Sequence, residues 1–74
     1  MTDILRFKAD QKKSLLEAAT PEGAHAIRFY SPVMRLLELR LIEPLTGELP
    51  TVHTKYWRLT SEGRALLLAR GWIK

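Results

Sequence analysis

The stretch Ser31-Pro32-Val33-Met34-Arg35-Leu36-Leu37-Glu38-Leu39-Arg40-Leu41-Ile42 leaves the chain few choices. Serine followed by proline marks a helix start. The hydroxyl can accept from orphan backbone N–H groups, and proline brings a preset φ to a position that needs no donor. At about 100° per residue, Val33, Leu36, Leu37 and Leu41 share one side of a helical wheel, with Met34 at its edge. Arg35, Glu38 and Leu39 are left on the opposite side. Leu41-Ile42 then runs towards Pro44, so a helix is expected over residues 32–40 and a strand directly after it. Function depends on what the outward face of that helix can touch.

With 74 residues the chain is one domain, and all of residues 1–74 are assigned to it. A domain of this size buries only roughly 60% of its unfolded surface, so its core is small. The absence of cysteine excludes a disulfide framework, a thiolate metal site and a cysteine nucleophile, and fits a reducing compartment. No apolar run approaches the roughly 18 residues of a membrane span, and Met1-Thr2-Asp3-Ile4-Leu5-Arg6 lacks the layout of a signal peptide. The expected location is therefore the cytoplasm, with no membrane partner. Lysine and arginine number 12 against 8 acids, a formal charge of +4 that favours an anionic partner. Small domains also carry such charge for solubility alone.

Residues 1–9 alternate Leu5, Phe7 and Ala9 with Arg6 and Lys8, which suits a short edge strand or ordered extended chain. Asp10 is a good N-cap for a helix over residues 11–19 with Leu15, Leu16 and Ala19 as its apolar face. Thr20-Pro21 ends it and can begin a second, short helix over residues 21–28, with Ala24 and Ile27 inward. Gly23 lowers that helix's intrinsic stability by roughly 1 kcal/mol relative to alanine. Phe29 and Tyr30 make the turn before the helix over 32–40. Beyond Ile42, Glu43-Pro44-Leu45 reads as a short strand, Thr46-Gly47-Glu48 as a turn and residues 51–59 as a second strand. Trp57 and Leu59 fall on its inward side. Thr60 caps a last helix over residues 61–70, Gly71 is its C′ residue, and Trp72-Ile73-Lys74 form a tail.

The run Leu36-Leu37-Glu38-Leu39-Arg40-Leu41-Ile42-Glu43 resembles the "L-x-x-x-G-L-I" exit from the recognition helix of small winged-helix DNA-binding domains. Tyr56-Trp57-Arg58-Leu59-Thr60-Ser61-Glu62-Gly63-Arg64-Ala65-Leu66-Leu67 is similar to their "Y-x-L-T-x-x-G-x-x-L" at the second wing strand and following helix. The resemblance covers residues 10–70 and points to compact regulators of bacteria and phages. It implies an α+β, mainly α, winged helix-turn-helix with a small antiparallel β-hairpin wing over residues 42–59. Thr60 fits as a cap, and Gly63, without a Cβ, allows close approach of a neighbouring element. Arg40 departs from the pattern. The family has glycine there, in a left-handed conformation, so either arginine bears a cost of about 1 kcal/mol or more, or the helix ends differently.

Enzymatic chemistry finds little support. His25 and His53 sit on different elements, no carboxylate pair has a spacing suited to acid–base work, and Ser14 and Ser61 lack a base in context. Two histidines without cysteine or an acidic neighbour do not make a zinc site, and no glycine loop cradles phosphate. The expected protein is therefore not an enzyme and has no catalytic, cofactor or metal residues. The leading expectation is a small protein that binds double-stranded DNA, a transcriptional regulator or accessory factor of a bacterium or mobile element. Arg28, Ser31, Arg35, Lys55, Arg58 and Arg64 are its candidate contacts, with Arg35 reading guanine and the others positioning on phosphate. Against it stand Glu38 and Leu39 on the outward helix face and Glu43 and Glu48 in the hairpin, which has no Lys or Arg between Leu41 and Thr54. The alternative is a protein-interaction module or inhibitor on the same scaffold. Leu66, Leu67 and Leu68 in succession, followed by Trp72-Ile73, exceed what one helix face can bury. Leu68, Trp72 and Ile73 are thus candidates for a homodimer or partner surface, unless the tail folds back over its own core.

Overall fold

The computed structural model describes residues 6–74. Among them, three helices, α1 (Ala9–Ala18), α2 (Ser31–Glu38) and α3 (Ser61–Ala69), and three strands, β1 (Ala24–His25), β2 (Ile42–Pro44) and β3 (Tyr56–Leu59), make an α+β fold. The chain order is α1-β1-α2-β2-β3-α3, and the strands form one antiparallel sheet in the order β1-β3-β2. Trp57 is the centre of that sheet, opposite Ala24 on one side and Pro44 on the other. Pro44 is tolerated because β2 is an edge strand.

Strand alternation sends Trp57 and Leu59 inward, as the sequence implies, and leaves Tyr56 and Arg58 exposed. Leu15 and Ala18 of α1, Val33 and Leu36 of α2, Leu41, Ile42 and Leu67 close around them. Trp57 is fully buried, and its indole Nε1–H donates to the Ala26 carbonyl at 3.0 Å, so the ring carries no unsatisfied donor. Leu36, not Leu37, is the fully buried leucine of α2; Leu37 is half-buried.

The helix expected over residues 21–28 is not there. Gly23 has φ +75° and its N–H donates to the Thr20 carbonyl, which closes a tight turn after α1. Ala24 and His25 then join β3 as β1. A Cβ on Gly23 would lie 2.6 Å from the Trp57 carbonyl, so the chain passes too close to β3 for any other residue. Sheet pairing with a central strand outweighs the weak helical propensity of a segment containing Pro21 and Gly23. Between β1 and α2 only a turn remains, in which Tyr30 N–H donates to the Ile27 carbonyl at 3.0 Å.

Other boundaries move for local reasons. Helix α1 starts at Ala9, ahead of the expected cap Asp10, because Gln11 Oε1 reaches back to the Lys8 N–H at 2.8 Å. Ser31 is not a cap either: Tyr30 is the N-cap residue of α2, without a side-chain bond, and Ser31-Pro32 form its first turn. The strand expected over residues 51–59 shortens to β3 because Thr51 and Thr54 close their own turn. Thr51 N–H donates to Thr54 Oγ1 at 2.9 Å, and His53 N–H to Thr51 Oγ1 at 3.1 Å. Of the edge strand expected within residues 1–9, residues 1–5 lie outside the described residues, and residues 6–8 are irregular chain.

Both later helices leave through the same motif. Arg40 N–H donates to the Leu37 carbonyl and Leu41 N–H to that of Leu36, with Arg40 at φ +59°. In α3, Gly71 at φ +72° donates to Leu68, and Trp72 to Leu67. Arg40 thus occupies the left-handed position that the winged-helix pattern reserves for glycine. Just beyond, Thr60 ties the elements together. Its N–H donates to the Leu41 carbonyl at 3.0 Å, its hydroxyl to the Arg40 carbonyl at 2.7 Å, and its Oγ1 accepts from Gly63 N–H at 3.0 Å. A Cβ on Gly63 would run into the Leu41 carbonyl.

Candidate nucleic-acid interface

Helix α2 buries Pro32, Val33 and Leu36 and presents Ser31, Met34, Arg35 and Glu38 to solvent. Leu39, expected outward, is half-buried against the core. Arg28 sits half-buried in the turn that leads into α2. Lys55 is exposed, and its carbonyl accepts from Ala26 N–H at 2.8 Å, so the start of β3 runs beside the same turn. Arg28, Ser31, Arg35 and Lys55 therefore belong to one region, built from α2, its preceding turn and the entry to β3.

Arg58 and Arg64 lie elsewhere. Together with Glu43, Ser61 and Leu68 they line a shallow groove of about 450 Å³ between the β2–β3 edge and α3. Arg58 Nε donates to Glu43 Oε2 at 2.6 Å across the β2–β3 register, which neutralises its charge locally. Both groups are more than a third exposed, so the pair adds little stability. It does oppose a phosphate contact by Arg58, because an anion approaching the guanidinium also meets Glu43.

The three candidates for a partner surface separate as well. Leu68 is 48% exposed on the groove, whereas Trp72 and Ile73 pack half-buried against the core. The Trp72 ring meets Phe7 edge-on at 6.2 Å, and Lys12 Nζ lies 4.6 Å from its centroid. The Arg70 guanidinium is 5.1 Å from Phe7 and 5.3 Å from Trp72. The tail folds back over its own core.

Sequence reasoning missed a group of exposed apolar and aromatic side chains. Ile27, Phe29 and Tyr30 protrude from the turn before α2, with Met34 on the helix itself. Tyr56 is also exposed and stacks on its register partner His25, ring centroids 4.8 Å apart. The signal available was compositional: residues 23–37 contain arginine, histidine and aromatics but no acid. Exposure itself is not written in the sequence.

Among the described residues, no three histidine, cysteine or acidic side chains are grouped to hold a metal ion, and no helix is long and apolar enough to cross a membrane. No protein-family model matches the chain, and neither does any curated protein or solved structure.

Proposed function

We propose that the chain is a DNA-binding protein of abbreviated winged helix-turn-helix form, a small regulator or accessory factor of a bacterium or mobile element. Helix α2 enters the major groove. The observation that carries this reading is the passage of α2 through the left-handed Arg40 straight into the β2–β3 hairpin, which α3 then closes. The helix that reads DNA in such domains is followed by its wing in this manner, as the sequence resemblance implies. Turn residues Ile27 to Tyr30 stand in for the helix that would precede it.

Arg35, exposed on α2, is the residue for base readout, and Arg28 in the preceding turn and exposed Lys55 at the entry to β3 are the phosphate contacts. The hairpin loop holds the exposed Glu48 and no Lys or Arg before Lys55, so α2 rather than the wing makes the main contact. A mobility-shift assay with genomic fragments across a salt series tests the reading. Arg35→Ala should lose about 1–3 kcal/mol on the specific site and relax sequence preference. No retardation of any duplex at low salt would remove DNA from consideration.

The second reading, a protein-interaction module, is favoured by one observation: Ile27, Phe29 and Met34 are all more than 40% exposed around the start of α2. Capture of a protein through these residues, with no duplex binding, would establish it.

A further inference from the structure

We propose that Arg40 is a phosphate contact at the exit of α2, kept in left-handed backbone for the sake of its side chain. This rests on the DNA reading of α2. Three of the described residues with positive φ, Gly23, Gly47 and Gly71, are glycines, and Arg40 at +59° is the exception. Gly71 ends α3 through the same pair of backbone bonds that ends α2, so glycine serves this exit where no side chain is needed. Arg40 is exposed, and among the described residues its guanidinium makes no hydrogen bond, ion pair or ring contact. A cation near a helix C-terminus is favourable, but Arg35 already supplies one in the last turn of α2 from helical backbone. Within the chain nothing offsets the left-handed arginine. A strained residue of this kind is kept for a contact outside the fold.

The backbone also fixes where that side chain begins. Arg40 N–H donates to the Leu37 carbonyl at 3.0 Å, and the Arg40 carbonyl accepts from the Thr60 hydroxyl at 2.7 Å. Leu41 N–H, donating to Leu36 at 3.0 Å, holds the next residue. Arg40 is thereby pinned just past one end of α2, while Arg28 precedes the other. The eight residues of α2 span about 12 Å, close to the width of the major groove. Cations flanking such a helix come to the phosphate walls of the groove while Arg35 faces the bases. Glu38, exposed two residues before, forms no ion pair with Arg40, and Glu43 is taken by Arg58. The Arg40 guanidinium is therefore open to an anion.

Two measurements on the full chain, made side by side, test this: thermal melting, and fluorescence anisotropy with a labelled mixed-sequence duplex across a salt series. Arg40→Gly should melt higher than wild type and yet bind the duplex more weakly. Its slope of log K against log salt should be shallower by about 1, so the loss is roughly threefold greater at 50 mM than at 200 mM salt. Arg40→Lys, which keeps the charge, should retain both affinity and slope. Stability and affinity moving in opposite directions is what a purely structural arginine cannot produce. Three results would overturn the proposal and leave the DNA reading standing: Arg40→Gly binding like wild type, losing affinity at unchanged slope, or melting lower. Absence of duplex binding by wild type would overturn both.

Discussion

Arg40 carries a left-handed backbone at φ +59° with a side chain that disfavours it. Left-handed geometry costs roughly 1–2 kcal/mol for a residue with a Cβ, and glycine escapes most of that while giving more entropy to the unfolded chain. Arg40→Gly should therefore raise unfolding free energy by about 0.5–1 kcal/mol, and melting temperature by a few degrees. Arg40→Val should lower both. Gly63 offers the opposite case, since a Cβ there would meet the Leu41 carbonyl, a backbone group that cannot yield as a flexible side chain would. Gly63→Ala should lose about 1–3 kcal/mol or more in chemical denaturation, as overpacking against backbone does. Leu36 and Leu37 are adjacent, but only Leu36 is fully buried. Leu36→Ala should lose about 2–5 kcal/mol and Leu37→Ala distinctly less; equal losses would mean that α2 is rotated from its assigned face.

The cap of α3 and the exit of α2 meet at one threonine, because Thr60 Oγ1 both donates to Arg40 and accepts from Gly63. Thr60→Ala should destabilise by about 1–2 kcal/mol and Thr60→Ser by much less, read from denaturation midpoints at equal slope. The cap was legible in the sequence because it is local, whereas the bond to Arg40, twenty residues away, was not. A Thr-x-x-Gly cap, an alternating Trp57-Arg58-Leu59 strand and a Gly71 terminus fall within one element or its flank. The segment 21–28 defeats a local reading for the complementary reason. Thr20-Pro21-Glu22 suits a helix start and a tight turn equally, and the contact that decides between them is the distant Trp57 carbonyl beside Gly23. Ser31 and Asp10 failed as caps by one or two residues, where Gln11 and Pro32 already provide an alternative start. Of the candidate site, Arg35 and Ser31 could be placed from helix periodicity. That Arg58 is paired with Glu43, and that Phe29 projects into solvent, depend on register and tertiary packing.

At the scale of the whole molecule, a net charge of +4 and the acidic hairpin loop act in opposition. Glu48→Lys should tighten non-specific DNA binding and steepen the slope of log K against log salt by about 1, provided the loop lies within reach of phosphate. The two ends of the described chain close on each other through Phe7 and Trp72, with Lys12 and Arg70 over the rings. Removing residues 72–74 should lower stability by about 1–3 kcal/mol through the lost aromatic and cation–π contacts. A folded chain of this length has roughly 4–11 kcal/mol in all, so that loss is large. The knot at Thr60 has a further consequence for how the molecule opens. It joins α2, β2, β3 and α3 through backbone carbonyls of Arg40 and Leu41. No one of these elements can detach without breaking bonds to the others, so partial opening around α2 is suppressed. The amide protons of Leu41, Thr60 and Gly63 should report one common opening free energy in hydrogen exchange, matching global unfolding, while that of Tyr30 reports a far smaller one. Helix α2 then opens only with the core, and its exposed face is held in one arrangement.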